Sequence, residues 1–480
     1  MTARRQTMHT WTLKWLAVIG VVGMAATAAA HEFEHRGPGF DFGLFRDHQL
    51  DAHSERLFGV ERGLDASSTE SLGATDANAD PTKFVTLAKG LRAHVVTAQP
   101  NAGANIDQMA LWPNDRFPTH LIVANEEGPA QAGLQRIRLS DGLVETILSG
   151  TSAGDPVRRT PWGTILFGEE NGTDGWMIEI SDPLHTTGVI FNRATGVSSD
   201  PVHVVARPAL GRMSFEGIAL YPNGVMYYMD ENRPSNGVPG GAYFKFIPAT
   251  PWNGTPVTDL SASPFVAGSI YGLRLGKRNG NTDYGQGTQT GLGTWIPVTS
   301  VPNTNLRAAA ATLKLTGYYR PEDAEVDPVA LAAGNVRFCA NNTGNEITDH
   351  NWGETICITD GTLARATTNA AVPEVQDLVL GSADFAMMDN IAFEPIHGNF
   401  VINEDGDGPE VGRNNDIWSC LDDGDDADDQ SDGCIRVVSL NDLTAESTGG
   451  IFNKWGDHYF VSIQHNVTGH GVVLDITGWR

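Results

Sequence analysis

The chain has 480 residues and carries 58 acidic against 32 basic side chains, which gives a formal net charge of -26 at pH 7. A protein with this negative charge is repelled by nucleic acid and by anionic membrane surfaces, and we expect neither as a partner. Gly (54) and Pro (25) are frequent and scattered, and apolar residues fall in short runs between turn signals. This pattern is typical of an all-β protein.

Residues 1–30 have the layout of a secretory signal peptide. Arg4, Arg5 and Lys14 come before an apolar run, and three alanines at 28–30 offer a cleavage site. The apolar run is too short and too rich in alanine for a membrane anchor. We therefore expect a periplasmic or secreted protein with no membrane association after cleavage.

Residues 31–100 are polar and lack the repeats found further along, so they predict an N-terminal arm or an embellishment on the main domain. From residue 101 onward a unit recurs, an apolar strand followed by acidic or amide residues. Its copies begin at Leu121, Thr164, Val225, Val336, Phe400 and Phe460. Six copies predict a β-propeller of about six blades over residues 101–480. A Gly- and Asn-rich stretch at 272–293 predicts a loop insertion in the widest gap.

A second element precedes several of these strands. It has an acid near its start, a short apolar stretch and then a proline turn, and its copies begin at Ile106, Phe215, Pro321 and Met388. Strand alternation and turn residues agree, so the two elements together predict the inner pair of strands of one blade. Inner strands have the same polarity around a propeller axis, and their equivalent ends therefore meet near one mouth of the channel.

Acidic residues occupy these equivalent ends. The candidates are Asp107, Glu216, Glu322, Asp323 and Asp389 in one element, and Glu126, Glu169, Glu170, Asp230, Glu231, Glu404 and Asp405 in the other. Carboxylates gathered in one mouth repel one another, and calcium relieves that repulsion because it prefers oxygen ligands. The alternative is that these acids cap turns or pair with arginines. His465 could also ligate a metal, although a lone histidine more often has a packing or surface role.

The four cysteines form two close pairs along the chain, Cys339 with Cys357 and Cys420 with Cys434. In an exported protein this spacing predicts two local disulfides. The alternative is a thiolate metal site, which normally has closer spacing and nearby histidines. Arg320 directly precedes Pro321 and Glu322, and a guanidinium beside bound cations is a suitable contact for a phosphate group.

Several segments resemble the bacterial PhoX-type alkaline phosphatases. They are Thr160-Pro-Trp-Gly-Thr164 with the following Glu169-Glu170-Asn171, Phe215-Glu-Gly217, Arg320-Pro-Glu-Asp323, Asp389-Asn-Ile-Ala-Phe393 and Phe460-Val-Ser-Ile-Gln-His465. The resemblance implies a six-bladed propeller with an axial iron–calcium cluster that hydrolyses phosphate monoesters outside the cytoplasm. In that family a cysteine that binds iron precedes the acidic pair, whereas Gly168 stands here. Loss of the thiolate favours calcium alone or a different metal.

The sequence thus predicts a metal-dependent phosphoester hydrolase of the PhoX type, acting as a monomer on a small phosphorylated substrate. The implied metal ligands are Glu169, Glu170, Glu216, Glu322 and Asp389, with Asp405 added from the acidic set, and the catalytic candidates are Arg320 and Glu322. Calcium is the expected cofactor, and iron is the alternative that Gly168 puts in question. Two other functions stay open: a calcium-stabilised propeller that binds a ligand without chemistry, and a calcium-dependent hydrolase of another ester or lactone.

Overall fold

The computed structural model describes residues 42–234, 240–276, 286–299, 304–348, 350–424 and 430–480. The predicted signal peptide lies outside the described residues. The chain divides into two units, Met1–His53 and Ser54–Arg480, and the described part of the first contains one helix, α1 (Phe42–Ala52). Within the described part of the chain, no helix has the length and apolar character needed to cross a membrane.

The second unit consists mostly of antiparallel strands joined by turns and short helices. Its strands up to residue 230 are β1 (Val85–Leu87), β2 (Arg92–Thr97), β3 (Ile106–Trp112), β4 (His120–Asn125), β5 (Ala132–Arg138), β6 (Val144–Ser149), β7 (Gly154–Arg159), β8 (Ile165–Glu169), β9 (Met177–Ile180), β10 (Val189–Asn192), β11 (Val197–Ser198), β12 (Val204–Ala206), β13 (Phe215–Leu220) and β14 (Met226–Asp230).

The later strands are β15 (Tyr243–Pro248), β16 (Gly268–Leu275), β17 (Gly291–Val298), β18 (Pro321–Val326), β19 (Asn335–Asn342), β20 (Glu354–Thr362), β21 (Glu374–Leu380), β22 (Met388–Phe393), β23 (Phe400–Glu404), β24 (Asp416–Cys420), β25 (Cys434–Leu440), β26 (Glu446–Phe452), β27 (His458–Gln464) and β28 (Val472–Thr477). The α-helices of this unit are α2 (Ser54–Phe58), α3 (Ala74–Ala79), α4 (Leu306–Leu313), α5 (Pro328–Ala332), α6 (Leu363–Ala366) and α7 (Gly408–Val411).

These strands form five sheets among the described residues. Their strand orders are β11-β10-β6-β5-β4-β3, β12-β9-β8-β7, β13-β14-β15-β16-β17-β21-β20-β19-β18, β1-β25-β24-β23-β22 and β2-β28-β27-β26. In the nine-stranded sheet, β17 meets β21 over two residue pairs, Gly291 with Val375 and Leu292 with Glu374. This short contact joins the run β13–β17 to the run β18–β21. The predicted loop insertion at 272–293 is strand at both ends, 272–275 in β16 and 291–293 in β17, and its residues 277–285 are outside the described part.

Six strands surround the centre of the second unit: β3, β7, β13, β18, β22 and β26. Each is an edge strand of its sheet, and each contacts the next in this order, with β26 returning to contact β3. We call them the inner strands. The two repeated sequence elements are adjacent antiparallel strands, as in β3 with β4 and β22 with β23. The all-β prediction is therefore confirmed, and the arrangement is propeller-like.

Apolar side chains pack between neighbouring runs of strands. The ring of Tyr227 on β14 stacks on that of Phe338 on β19, with centroids 4.7 Å apart, and Trp295 lies 5.6 Å from Tyr227. These rings join the runs that begin with β13 and β18. Strands that are buried on both faces have continuous apolar sequences, as in Leu121-Ile-Val-Ala124, because neither face is exposed to water.

Residues from both ends of the second unit share sheets. β1 and β2, which belong to the predicted N-terminal arm, pair with β25 and β28. Two disulfides, Cys339–Cys357 and Cys420–Cys434, each join adjacent strands and confirm the predicted pairing. The four cysteines of the chain are all used in this way, so none provides a thiolate for a metal.

Candidate functional site

The starts of the inner strands meet around one cavity. In five of the six, the second residue is acidic: Asp107, Asp155, Glu216, Glu322 and Asp389. In each of these strands the register with the neighbouring strand shifts across this residue. Such β-bulges redirect side chains and are frequent beside active sites. Here all five carboxylates line the same cavity.

More carboxylates reach this cavity from the strands that follow. Glu126, Glu170, Glu231 and Asp405 come directly after the ends of β4, β8, β14 and β23. Asp407 and Glu446 complete a set of eleven acidic residues around a volume of about 340 Å³. We call this cavity the carboxylate pocket. The sequence prediction that acids from equivalent strand ends gather in one place is therefore reflected in the fold.

Burial and mutual repulsion shift the acid–base equilibria of this pocket. Burial is the larger cause and neighbouring carboxylates the second, and together they raise the pKa well above its usual value for Asp107, Asp155, Glu170, Glu216, Asp389 and Glu446. Burial also raises the pKa of Glu322 to about 8, although the Arg320 guanidinium opposes that shift. So many carboxylates cannot all be ionised side by side without cations to neutralise them.

Arg320 places positive charge among these acids. Its Nε donates a hydrogen bond to Glu231 at 3.0 Å, and its Nη2 lies 3.3 Å from Asp405 and 3.4 Å from Glu322. The backbone of Arg320 has φ of 55°, a left-handed value that few residues other than glycine adopt. Strained backbone of this kind is concentrated at functional sites. A second pocket residue, His465, has φ of 52° and places Nε2 3.1 Å from Glu446.

The donor atoms of the pocket fit a hard cation. Three groups bring one ligand atom from each member within 4.8 Å of the others: Glu126 with Glu446 and His465, Asp107 with Glu126 and Asp155, and Asp155 with Glu170 and Glu216. Among the described residues, buried Glu322 Oε1 has no hydrogen-bond partner. Clustered carboxylate oxygens are the ligands that Ca²⁺ prefers. These residues therefore fit calcium, and His465 adds one nitrogen donor.

A thiolate ligand for iron does not fit this pocket. A Cβ atom on Gly168 would lie 2.6 Å from Cγ of Pro156 and 3.0 Å from Cβ of Phe215, so neighbouring side chains fill the space that a cysteine would need. The cysteines of the chain are in disulfides elsewhere. Any iron in the carboxylate pocket would have oxygen and nitrogen ligands.

The side chains of successive residues at a strand end point to opposite sides. In each predicted acidic pair, the two carboxylates therefore face different surroundings. Glu170, Glu231 and Asp405 face the carboxylate pocket, whereas the residue before each of them is paired with an arginine. Those pairs are Glu169 with Arg193 at 2.9 Å, Asp230 with Arg307 at 2.8 Å and Glu404 with Arg413 at 2.6 Å. These three acids therefore follow the alternative given by the sequence analysis, in which an acid pairs with an arginine and does not face the pocket.

The structure brings most of the predicted site residues together. Arg320, Glu170, Glu216, Glu322, Asp389 and Asp405 all line the carboxylate pocket. Glu169 does not line it: its carboxylate is buried and accepts hydrogen bonds from the backbone N–H groups of Ser152 and Trp176. Asp323 likewise faces away and pairs with Arg158 at 2.6 Å. The individual roles of the pocket residues stay predictions.

The two candidate sets left out three pocket acids, Asp155, Asp407 and Glu446. Asp155 is followed by Pro156 instead of the apolar stretch that follows Asp107, Glu216 and Asp389, so β7 has no recognisable copy of the motif. Its place shortly before the repeated unit that begins at Thr164 is the signal that could have located it. Glu446 is the first residue of its strand, not the second, and therefore falls outside the repeated pattern.

Comparison with known proteins gives a consistent result. Residues 75–466 match the family described as alkaline phosphatase PhoX. Among solved structures, PhoX of Pseudomonas fluorescens, in complex with the transition-state analogue vanadate, has a TM-score of 0.60 and 17% identity, covering 86% of this chain and 98% of that one. At this identity the likeness concerns the fold. No curated protein matches the chain by sequence.

Other structures are more distant. The gluconolactonase XC5397 from Xanthomonas campestris has a TM-score of 0.43 and 11% identity, over 86% of this chain and 96% of that one. A glucose dehydrogenase has a TM-score of 0.44 and 9% identity, over 80% and 98%. Both likenesses are too weak to support an argument. The family match covers well over half of the chain and includes all six inner strands. The chain therefore belongs to the alkaline phosphatase PhoX family and is a phosphoester hydrolase by class, as its motifs predicted.

Proposed function

We propose that the chain hydrolyses small phosphate monoesters in the carboxylate pocket, with calcium as its metal cofactor. The observation that carries this proposal is Arg320, whose guanidinium is held among eleven carboxylates in one cavity. A phosphate group needs positive charge around it, and cations bound by the carboxylates would supply that charge together with Arg320. The volume of about 340 Å³ suits a small substrate.

The residues of the chain have distinct tasks in this proposal. Calcium bound by these residues would neutralise the carboxylates and would supply Lewis-acid activation of the phosphoryl group and of an oxygen nucleophile. Asp155, Glu170 and Glu216 would hold one cation, and Glu126, Glu446 and His465 a second.

Arg320 donates N–H groups to the phosphoryl oxygens. Glu231 and Asp405 orient its guanidinium through the 3.0 Å and 3.3 Å contacts. Glu322, whose Oε1 lies 3.4 Å from Arg320 Nη2 and has no hydrogen-bond partner among the described residues, joins the arginine to the metal ligands. Asp389, which lines the same cavity, completes this side of the pocket.

We further propose that the propeller has six blades, each beginning with one inner strand. The cyclic order of contacts among β3, β7, β13, β18, β22 and β26 supports this number. The nine-stranded sheet would then represent two blades joined through the short pairing of β17 with β21. A periplasmic or secreted location is proposed as well, and the two disulfides support an oxidising compartment.

The test is metal content by elemental analysis together with turnover of p-nitrophenyl phosphate on the same sample. We expect bound calcium, and turnover that chelation abolishes and calcium restores. Bound calcium without turnover would overturn the hydrolase proposal and leave a ligand-binding propeller. Stoichiometric iron would overturn the calcium assignment alone.

A matched pair of arginine variants makes this test specific to the pocket. Arg320→Gln removes the proposed phosphate contact and should lower turnover at least about 100-fold while calcium stays bound. Arg138→Gln breaks an exposed ion pair with Asp141 outside the pocket and should retain turnover. Equal activity of the two variants would contradict the role of Arg320.

A further inference from the structure

A cleft lies away from the carboxylate pocket, between the turn that follows β3 and the turn that joins β26 to β27. It has a volume of about 640 Å³, and we call it the aromatic cleft. Arg116 and Phe117 come from the first turn, and Trp455 and Asp457 from the second. The cleft shares no lining residue with the carboxylate pocket. Its turns follow the far end of β3, whereas Asp107 lies at the near end.

Two aromatic rings in this cleft are exposed yet held in place. Phe117 is 64% exposed and Trp455 is 48% exposed. The indole N–H of Trp455 donates to the backbone carbonyl of Arg116 at 3.2 Å, and the guanidinium carbon of Arg116 lies 5.3 Å from the centroid of each ring. Much of the apolar surface of each ring is therefore in contact with water, and this exposure is energetically unfavourable. Exposed aromatic groups in a concave surface are typical of binding sites.

The cleft also carries hydrogen-bonding groups. His458 Nδ1 lies 2.8 Å from Asp475 Oδ2, and Asp457 accepts a hydrogen bond from Asn453 at 2.8 Å. His94 on β2 stands directly opposite Asp475 on β28. These carboxylates and imidazole groups line the same cleft as the two rings. The cleft thus combines exposed aromatic rings with hydrogen-bonding side chains.

The charges of the cleft exclude a polyanion as its ligand. Arg116 is offset by Asp457 and Asp475 within the cleft, and the chain as a whole has a formal charge of -26. A ligand with one apolar face and several hydroxyl groups matches both kinds of lining group, because C–H groups pack on aromatic rings and hydroxyls donate to carboxylates. Pyranose sugars have this construction, and the volume is sufficient for one or two rings.

We propose that the aromatic cleft binds a neutral carbohydrate. Trp455 and Phe117 form the stacking surface, and Asp457, His458 and Asp475 bind the hydroxyl groups. Because the cleft lies at the far ends of the inner strands, a bound glycan leaves the carboxylate pocket open to its own substrate.

The test is isothermal titration calorimetry of the full chain with maltohexaose, cellohexaose and chitohexaose. Wild-type protein should bind at least one of them, and Trp455→Ala should weaken that binding about tenfold or more, since it removes the larger of the two stacking rings. Asp475→Asn, which keeps both rings, should also weaken binding. Ile190→Ala is the matched control, because Ile190 is an exposed apolar side chain, at 61%, but lies on β10 outside the cleft.

Thermal unfolding checks that each variant is folded, and turnover of p-nitrophenyl phosphate should be the same in all of them. The proposal is overturned if wild-type protein binds none of the three hexasaccharides at millimolar concentration. It is also overturned if Trp455→Ala and Ile190→Ala bind the same sugar equally well, since the site would then lie elsewhere.

Discussion

The inner strands run between two cavities of nearly equal volume and opposite chemistry. Their starts line the carboxylate pocket, about 340 Å³, and their ends line a second cavity of about 350 Å³, which we call the strand-end cavity. The strand-end cavity is largely apolar, and its charges are mixed: Asp115 and Glu325 face Arg158, Arg159 and Lys454. The same fold produces both openings, so the residue types at the strand starts and ends decide which one can hold cations.

A layer of polar side chains separates the two cavities. Arg158 reaches across it, donating to Asp323 at 2.6 Å and to Gln108 at 3.0 Å. Gln108 in turn donates to Asp155 at 3.1 Å, and Asp155 lines the carboxylate pocket. A partly buried cation below the acidic cluster therefore stabilises the floor of the pocket. This layer separates the carboxylates of the pocket from the more apolar lining of the strand-end cavity.

The largest effect should come from removing that cation. Arg158→Met leaves Asp323, which is 3% exposed, without its ion pair and should lower the free energy of unfolding by about 3–5 kcal/mol. Urea denaturation measures it. The adjacent Arg159 pairs at 2.8 Å with the half-exposed Asp115, so Arg159→Met should cost about 1 kcal/mol or less. Equal losses for the two variants would mean that Arg158 has no special place between the cavities.

A smaller effect, on activity, should separate two glutamates on neighbouring inner strands. Glu216→Gln removes a carboxylate charge from a proposed cation group and should lower kcat/KM for p-nitrophenyl phosphate about 100-fold, equivalent to about 2.7 kcal/mol. Bound calcium, measured on the same samples, should fall as well. Glu325→Gln makes the same chemical change in the strand-end cavity and should leave both quantities unchanged. If the two variants lose activity alike, the carboxylate pocket is not the catalytic site.

The repeats in the sequence predicted much of this arrangement. An acid at a fixed place in Ile106-Asp107, Phe215-Glu216 and Met388-Asp389 repeats once per element, so its convergence follows from the common polarity of inner strands. What the sequence could not provide was the direction of each side chain at the strand ends. Glu169 and Glu170 are chemically alike, and the pleat of β8 alone turns the first toward Arg193 and the second into the pocket.

Two other features were beyond sequence reasoning for different physical reasons. The pairing of β1 and β2 with strands near the C-terminus joins residues more than 350 positions apart, and short strands such as Val85–Leu87 carry no signal of their distant partner. The position of Arg158 depends on a register shift in β7 that places a cation between Gln108 and Asp323. No local pattern in Gly154-Asp-Pro-Val-Arg-Arg159 indicates which of its two arginines pairs with a buried carboxylate.

The smallest expected effect is on the pH dependence of the free energy of unfolding, to which Glu325 in the strand-end cavity contributes. Burial raises the pKa of Glu325 to about 7, above its usual value of 4.5, even though Arg158 opposes the shift. Because the folded-state pKa exceeds the unfolded-state pKa, the stabilising contribution is fully present below pH 4.5 and is lost as pH rises through 7.

The side chain of Glu325→Gln cannot ionise. The stability of this variant relative to wild-type protein should therefore increase by about 1 kcal/mol across that range, because partial exposure of the side chain limits the effect. Urea denaturation of both proteins at several pH values measures this difference, and the carboxylates of the pocket titrate in both and cancel. A difference that stays flat between pH 4.5 and 7 would show that Glu325 is solvated as in the unfolded chain, and the contrast between the strand-end cavity and a cation-binding pocket would be wrong.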